Sequence, residues 1–350
     1  MTRNGSKSYS LAAFREAPDP AGAVAWAGMN VEAGWKPDIL GEEFESLDLH
    51  LGADPEGEGE AVATLVRRGS GDRAVLWVHG MTDYFFQTHV AEWFNEQGYA
   101  FYALDLRKCG RARQRGQRWH YSENFEHYFP DLTAALKVIT SEVTGGVVPL
   151  AHSTGGLIVP LWLDHLRRHE PALMEEIPGL ILNSPWLDMQ YPTWAVRALK
   201  PVVNVLGKRF PTVKIPGGNL RTYAESIHVS EHGEWKFDTT LKPLEGHDKY
   251  LGWLRTVLIS QKRIQTGGIN VAVPVLTLLS SSSYLGKAYS AAADTADVVL
   301  DVEQIERWAP KVGPTVTLAS IDGARHDVFL SLPHALKHVK STTREWLAAL

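Results

Sequence analysis

The sequence has little of what several common kinds of site require. Cysteine occurs once, as Cys109, among 350 residues. The chain can therefore form no internal disulfide and no zinc site built from several cysteines. Lys and Arg number 35 against 40 Asp and Glu, which gives a formal net charge of -5. Because phosphate binding needs clustered positive charge, we expect no nucleic acid partner.

Long apolar runs are also missing. No segment reaches the roughly 18 consecutive apolar residues that cross a bilayer, so we expect no integral membrane segment. Residues 1–7 include basic side chains but have no apolar run behind them, which does not fit a signal peptide. We therefore expect a cytoplasmic protein.

Apolar and aromatic residues are abundant. Hydrophobic residues make up 44% of the chain and aromatic residues 10%, which is the composition of a folded protein. The 12 tryptophans are many for this length, and they belong either to the core or to the wall of an apolar pocket. The length allows two domains, or one large α/β domain with an insertion.

Short β-rich runs alternate with helix-length segments from residue 60 onward. Several runs, such as residues 74–78, are apolar throughout, which is typical of strands buried on both faces of a sheet. The alternation predicts an α/β fold with a mostly parallel, doubly wound sheet of eight strands and helices on both faces. The predicted strands are residues 44–51, 61–67, 74–78, 99–105, 147–151, 179–183, 274–279 and 315–320. The predicted helices are residues 87–97, 131–144, 157–169, 302–308 and 332–350.

The alternation breaks between residue 185 and about residue 265, where Trp, Tyr, Pro and Gly become frequent. Helices are predicted there at residues 194–206 and 251–261. An insertion between two sheet strands is most simply a cap over the carboxyl ends of the strands, where open α/β sheets bind ligands. We therefore predict a core of residues 1–184 and 266–350 with a helical cap at residues 185–265.

The strongest local pattern is an apolar strand that runs into a sharp turn at Ser153 and then into a helix. Residues 151–155 read AHSTG and match G-x-S-x-G except that Ala151 replaces the first glycine. The tight turn needs small residues two positions either side of the serine. It also exposes the hydroxyl at a helix N-terminus, whose dipole favours negative charge. We predict Ser153 as a nucleophile, and the alternative is a chance turn that caps a helix.

A serine hydroxyl needs a base to take its proton, and that base needs an orienting acid. In this strand–turn–helix context the chain order is serine, acid, histidine. His326 lies in a polar loop after the last predicted strand, so we predict it as the base. His334 and His338 are spaced i,i+4 on the final predicted helix, which favours solvated positions. His247 falls in the predicted cap.

The pattern alone leaves more than one candidate for the acid. The loop after the predicted strand 274–279 contains three candidates, Asp294, Asp297 and Asp301. Asp301 is well placed to cap the helix predicted to begin at residue 302, a structural role that needs only a short acceptor side chain. We therefore prefer Asp297, with the other two left as alternatives.

A tetrahedral intermediate also needs donors for its oxyanion. The backbone N–H of Thr154 directly follows the nucleophile, and the second donor is expected in the loop after strand 74–78. Gly80 allows a sharp turn in that loop, so we predict the N–H of Met81 as the second donor. His79 is predicted to hold the loop by hydrogen bonds.

Taken together, these residues resemble the α/β-hydrolase superfamily, and within it the monoacylglycerol lipase and lysophospholipase branch of serine aminopeptidase-like hydrolases. The matching pieces are residues 79–81, 105–111, 151–155 and 297–301 and His326. The resemblance implies an α/β-hydrolase fold and hydrolysis of a carboxylic ester through an acyl-enzyme, with no cofactor and no metal. It also strengthens Asp297, because the first Asp of residues 297–301 resembles the catalytic acid of this branch. The chain departs from the family pattern at Cys109 and Arg111.

Aromatic residues in the predicted cap bear on the substrate. Apolar walls favour an acyl chain or an aromatic acid, so we predict a small-molecule ester with an apolar part as the partner. The alternative is that these side chains form the cap's own core. The candidate pocket residues are Trp186, Tyr191, Trp194, Trp235 and Trp253.

Other activities are compatible with the same residues. A peptidase or amidase would need a site for the substrate's amine, for which acidic residues of the predicted cap such as Glu225 and Asp238 are candidates. Hydrolysis of a C–C bond, or acyl transfer, would use the same serine, histidine and aspartate. A ligand-binding protein without turnover is the alternative from a different class.

Overall fold

The computed structural model describes residues 34–216 and 220–350. Residues 1–33 and 217–219 lie outside the described residues. The first part of the predicted core, including residues 1–7 with their two basic side chains, and a short piece of the predicted cap therefore belong to the segments that are not described.

The elements follow the predicted alternation. The strands are β1 (Lys36–Asp38), β2 (Gly41–Ala53), β3 (Glu60–Arg68), β4 (Arg73–Val78), β5 (Tyr99–Asp105), β6 (Val147–His152), β7 (Leu180–Asn183), β8 (Lys214–Ile215), β9 (Lys249–Tyr250), β10 (Val275–Ser280) and β11 (Val316–Ile321). The helices are α1 (Thr88–Glu96), α2 (Phe129–Thr140), α3 (Gly155–His169), α4 (Pro171–Met174), α5 (Thr193–Arg209), α6 (Arg221–Ile227), α7 (Leu251–Gln265), α8 (Val302–Trp308) and α9 (Pro333–Ala348).

One sheet of nine strands forms the centre of the described residues, in the order β1-β2-β3-β5-β4-β6-β7-β10-β11. The pairings from β1 to β5 are antiparallel, and those from β5 to β11 are parallel. All eight predicted strands are present, but the sheet has nine strands instead of the predicted eight. The missed strand β1 has three residues and contains Pro37, so it shows no alternation, and proline is tolerated there because β1 is an edge strand.

The apolar strands lie where their composition requires. Every residue of β5, β6, β7 and β10 is buried, and so is all of β4 except Arg73. Their neighbours are helices on both faces and further strands at both edges, as a continuous apolar run predicts. The edge strand β11 leaves most of its residues partly or fully exposed. The loops that follow β4, β6, β10 and β11 meet at the carboxyl ends of the parallel strands.

Residues 185–265 lie between the neighbouring strands β7 and β10. They contain α5, α6 and α7 and a two-stranded antiparallel sheet of β8 and β9 that is separate from the main sheet. The two helices predicted in this segment are present, and each is longer than predicted. The pair β8 and β9 and the short helix α6 have no signal in the sequence, because two-residue strands show no periodicity. None of the helices in the described part of the chain is long and apolar enough to span a bilayer.

Candidate active site

Ser153 occupies the turn between β6 and α3 with a left-handed backbone conformation, φ 52°. Positive φ is uncommon for a residue other than glycine and costs conformational energy, so the surrounding structure must hold it. Two backbone hydrogen bonds do so. The N–H of Ser153 donates to the carbonyl oxygen of Asn183 (3.0 Å), and the N–H of Trp186 donates to that of Ser153 (3.0 Å).

The small residues around the turn are needed for close packing. A Cβ on Gly155 would lie 2.6 Å from the carbonyl oxygen of His79 and 2.7 Å from that of Val78. A Cβ on Gly80 would lie 2.9 Å from the Cβ of Ser153. The first turn of α3 and the loop after β4 are therefore packed directly against each other, with Ser153 between them.

Gly155→Ala should lower the free energy of unfolding by about 1–3 kcal/mol, because overpacking forces the two neighbouring carbonyl groups apart. Urea unfolding of the purified chain measures this. Gly34→Ala is the matched control, since a Cβ there would meet open space. Equal stability of the two variants would contradict the packing argument.

The side chains of Ser153, His326 and Asp297 form a hydrogen-bonded chain. His326, in the loop between β11 and α9, has its Nε2 3.1 Å from Ser153 Oγ and its Nδ1 2.8 Å from Asp297 Oδ2. All three residues are buried. A carboxylate only accepts hydrogen bonds, so the proton of the neutral imidazole belongs on Nδ1, and Nε2 is left to accept from the serine hydroxyl.

Asp297 is itself held in place. Its Oδ1 accepts the backbone N–H groups of Val299 (2.8 Å) and Leu300 (2.7 Å), which leaves Oδ2 for His326. The carboxylate is fully buried, so these bonds compensate for the water it has lost.

The two rival acids have other partners. Asp301 accepts the N–H of Glu303 (3.1 Å) and caps α8, the structural role predicted for it. Asp294 accepts a bond from the guanidinium of Arg325 (3.0 Å). Among the three candidates, Asp297 is thus the one that contacts the predicted base.

The loop after β4 lies beside Ser153. The N–H of Leu106 donates to His79 Nε2 (3.1 Å), so His79 Nδ1 carries the proton and donates to the carbonyl oxygen of Gly80 (2.8 Å). This is the structural role predicted for His79. Met81 and Thr154, the predicted oxyanion donors, both border the cavity at Ser153.

A cavity of about 180 Å³ opens onto Ser153 and His326. Apolar side chains form most of its wall, among them Met81, Trp186, Met189, Trp253, Leu254 and Val299. Tyr191 also lines it. Among the described residues, no cluster of three or more His, Cys, Asp or Glu has the arrangement of a metal site.

Two predicted pocket residues lie elsewhere. Trp194 is 77% exposed on α5, because that helix packs against α7 through a different face. Trp235 stacks on His89, with ring centroids 4.2 Å apart, and its Nε1 donates to the carbonyl oxygen of Leu330 (2.9 Å). The prediction that Trp194 and Trp235 line the pocket is therefore wrong.

Comparison with known proteins identifies the family. The model of the family described as "Serine aminopeptidase, S33" matches residues 69–332, about three quarters of the chain. The chain belongs to this family of α/β-hydrolases. Among curated proteins, no sequence matches this chain.

Solved structures share the fold at low sequence identity. The monoacylglycerol lipase of Paleococcus ferrophilus is 17% identical with a TM-score of 0.59, and the match covers 81% of this chain and 98% of that one. A soluble variant of the monoglyceride lipase of Saccharomyces cerevisiae, in complex with a substrate analog, is 16% identical with a TM-score of 0.59, covering 95% and 98%. The epoxide hydrolase VrEH1 of Vigna radiata is 17% identical with a TM-score of 0.56, covering 90% and 100%. At these identities the likeness establishes the fold, which hosts more than one reaction.

The cavity of this α/β-hydrolase also has a buried ion pair in its wall. Lys242 Nζ lies 2.8 Å from Asp83 Oδ1, and both side chains are almost fully buried. The ammonium group is surrounded by the rings of Phe86, Tyr223 and Phe237, each centred within 6 Å. No local sequence pattern indicates this pair, because 159 residues separate its partners.

Further bonds join the same two segments. The N–H of His247 donates to Thr82 Oγ1 (3.1 Å), and the N–H of Asp238 donates to the hydroxyl of Tyr84 (2.7 Å). Three consecutive residues after β4 are therefore bonded to residues 238–247 of the predicted cap. Residues 238–247 thereby hold the loop that contains Met81 in place.

Burial shifts other titrating groups at the cavity towards their neutral forms. It lowers the pKa of His152 and the pKa of Lys249, and it raises the pKa of the Tyr223 hydroxyl well above its ordinary value. These shifts have the signs expected where water has been excluded.

Arg111, one of the two positions where the chain departs from the family pattern, is held by two ion pairs. Its guanidinium pairs with Asp38 (2.9 Å) on β1 and with Asp105 (2.8 Å) at the end of β5. Asp105 in turn accepts the N–H of Phe85 (3.1 Å). Arg111 thus supports the far end of the loop that passes Ser153. Cys109, the other departure, is buried.

Lys242→Met should lower the free energy of unfolding by about 3–5 kcal/mol, because it leaves the buried carboxylate of Asp83 without its partner. Chemical denaturation measures the loss. The control Lys36→Met removes the exposed pair of Lys36 with Asp48 and should cost less than about 1 kcal/mol. Adding Asp83→Asn to Lys242→Met should recover part of the loss. Similar costs for Lys242→Met and Lys36→Met would contradict the role given to burial.

Proposed function

We propose that this α/β-hydrolase is a serine hydrolase that cleaves a carboxylic ester of a small molecule with an apolar acyl part. The observation that carries the proposal is the hydrogen-bonded chain of Ser153, His326 and Asp297 at the wall of a largely apolar cavity. In this role residues 185–265 act as a cap that encloses the acyl group, through Trp186, Tyr191 and Trp253.

The proposed reaction has two halves. Ser153 Oγ attacks the ester carbonyl carbon while His326 Nε2 takes the hydroxyl proton, and Asp297 stabilises the imidazolium that forms. The proton then passes to the leaving alcohol as the C–O bond breaks, which leaves an acyl-enzyme. Water, deprotonated by His326, attacks this intermediate and releases the carboxylic acid. The N–H groups of Met81 and Thr154 stabilise the oxyanion in both halves.

An apolar acyl ester fits the surroundings of Ser153 better than a peptide with a free amine. Glu225, a candidate for binding an amine, pairs with Arg221 (2.8 Å). The sole carboxylate other than the triad's among the described cavity residues is Asp83, and Lys242 already neutralises it. The lipases among the similar structures favour the same choice.

Labelling with a fluorophosphonate probe tests the nucleophile. The pure full-length chain should be labelled at Ser153, as located by mass spectrometry, and Ser153→Ala should not. An unlabelled Ser153 in folded protein would reject the serine hydrolase and favour a ligand-binding protein.

A substrate panel tests the reaction class. Acyl-glycerols, aryl esters and aminoacyl amides should be compared by kcat/KM on the same preparation. We expect esters with an apolar acyl group to be cleaved fastest. Faster release of amine from the amides would favour the peptidase instead.

A further inference from the structure

The serine and the histidine of the candidate site follow strands that are not neighbours. Ser153 follows β6, whereas His326 lies in the loop of residues 322–332 between β11 and α9, here called the base loop. Two strands, β7 and β10, separate β6 from β11 in the sheet. The base loop must therefore reach across the ends of β10 and β7 to bring His326 Nε2 to 3.1 Å from Ser153 Oγ.

Asn183, the last residue of β7, is bonded to both the serine turn and the base loop. Its carbonyl oxygen accepts the N–H of Ser153 (3.0 Å). Its side-chain Nδ2 donates to Asp327 Oδ1 (2.7 Å), and its Oδ1 accepts the N–H of Val328 (3.1 Å). Asp327 and Val328 are the two residues that follow His326, so this one buried amide holds the chain directly after the base.

Asp327 connects the base loop to a third segment. Its Oδ2 accepts from Gln87 Nε2 (3.0 Å), at the end of the loop after β4, and its Oδ1 also accepts the N–H of Phe329 (3.0 Å). Gln87 is itself oriented, because its Oε1 accepts the N–H of Phe86 (2.9 Å). A carboxylate only accepts hydrogen bonds, so this buried group satisfies Gln87, Phe329 and Asn183 together.

Asn183 and Asp327 are placed to affect proton transfer and not substrate binding. Neither is among the described residues that line the cavity. Transfer of the proton from Ser153 Oγ to His326 Nε2 requires these atoms to lie within hydrogen-bonding distance. A displacement of about 1 Å at a reacting group can lower the rate about 10²-fold.

We propose that Asn183 and Asp327 are positioning residues, which hold His326 Nε2 at Ser153 Oγ through the hydrogen bond between them. The backbone of Asn183 holds the nucleophile and its side chain holds the base loop, so one residue sets the distance between the two. This inference rests on the function proposed for Ser153, and neither residue touches the substrate or the reacting atoms in it.

The kinetics of Asn183→Leu on a short p-nitrophenyl ester test the proposal. Leucine is close to asparagine in shape but cannot bond to the base loop, so we expect kcat to fall about 10²-fold while KM changes less than about twofold. Asp327→Ala breaks the same connection from the other side and should give the same loss. It replaces Asn183→Leu in each comparison if that variant does not fold.

The conservative variant Asp327→Asn should keep most of the activity. Asn183 Nδ2 and the N–H of Phe329 both donate to Oδ1 of residue 327, so the amide oxygen of asparagine must stay there. The bond with Asn183 is then kept and the bond with Gln87 is lost, and we expect kcat to fall less than about fivefold. A loss as large as that of Asp327→Ala would contradict the role given to the bond between Asn183 and Asp327.

The double variant tests whether the two residues act together. Asn183→Leu with Asp327→Ala should lower kcat about 10²-fold, as each single variant does, because both break one connection. Losses that multiply to about 10⁴-fold would show independent effects and overturn the proposal.

Thr133→Val separates positioning from a general loss of stability. Thr133 is buried in α2 and its Oγ1 accepts from Trp162 Nε1 (3.0 Å), so this variant also leaves a buried donor without its partner. We expect a lower unfolding temperature with kcat, referred to the folded fraction from circular dichroism, within about twofold of the unaltered chain. A kcat of Asn183→Leu no lower than that of Thr133→Val, or a higher KM at unchanged kcat, would overturn the proposal.

Crystal structures of the unaltered chain and of Asn183→Leu test the geometry without turnover. We expect the distance from His326 Nε2 to Ser153 Oγ to grow from 3.1 Å by about 1 Å. An unchanged distance would overturn the inference even where the chain cleaves esters. An unaltered chain that cleaves no ester would instead reject the proposed function, and the two crystal structures would still decide whether Asn183 sets this distance.

Discussion

Ser153→Ala should lower kcat/KM for a short p-nitrophenyl ester by about 10⁴-fold to 10⁶-fold. The variant removes the oxygen that forms the acyl-enzyme and leaves His326 with no proton to accept. Because Ser153 has a strained backbone held by neighbouring carbonyl and N–H groups, alanine can occupy the same turn at little cost in stability. The ester assay gives the loss in activity, and urea unfolding shows that the fold is retained.

A second serine provides the control for this prediction. Ser260 is buried in α7 and has no part in the proposed reaction, so Ser260→Ala should keep nearly full activity. Residual activity of a tenth or more in Ser153→Ala would show that Ser153 does not carry the reaction. Activity lost equally in both serine variants would point to a general effect of altering buried serines.

The strands and the turn that bring the predicted site together can be predicted from the sequence, because each is indicated by a short stretch of consecutive residues. Apolar runs such as residues 74–78 and 147–151 are typical of buried strands, and small residues at 151 and 155 are typical of one kind of turn. The chain order of serine, acid and histidine then selects His326. The structure brings this residue within 3.1 Å of Ser153 Oγ, across 173 residues of sequence.

What the sequence could not predict depends on contacts between distant segments. Trp194 and Trp235 belong to the predicted cap, but which way each faces is decided by the packing of α5 and by the stacking of Trp235 on His89. The ion pair of Lys242 with Asp83 has no spacing that a pattern could detect. Composition indicated an aromatic cap, whereas tertiary packing decides which aromatic residues reach the cavity.

The choice of acid depended on a helix boundary. Asp301 begins α8, and capping requires a short acceptor side chain at that position. Asp297 has no such local role in the sequence, and its orientation follows from the N–H groups of Val299 and Leu300, which only the folded loop reveals. The prediction of Asp297 over Asp301 therefore rests on assigning the structural role of helix cap to Asp301, and the family resemblance of residues 297–301 strengthens it.

Asp297→Asn should lower kcat about 10³-fold to 10⁴-fold with little change in KM, because it gives His326 the wrong tautomer. Two backbone N–H groups already donate to Oδ1 of residue 297, so the amide oxygen of asparagine must stay there. The amide NH₂ then faces His326 Nδ1 and donates to it, which moves the imidazole proton to Nε2. A protonated Nε2 cannot accept the hydrogen of the Ser153 hydroxyl.

Asp301→Asn is the matched control, since asparagine caps a helix about as well as aspartate and activity should be almost unchanged. Asp297→Ala separates the loss of the negative charge from the change of imidazole tautomer. It also removes the negative charge but donates nothing to His326, which stays free to adopt the useful tautomer. We therefore expect it to be at least as active as Asp297→Asn, when both are compared on a short p-nitrophenyl ester. Full activity in Asp297→Asn with a loss in Asp301→Asn would assign the acid to Asp301, against the 2.8 Å contact that His326 makes with Asp297.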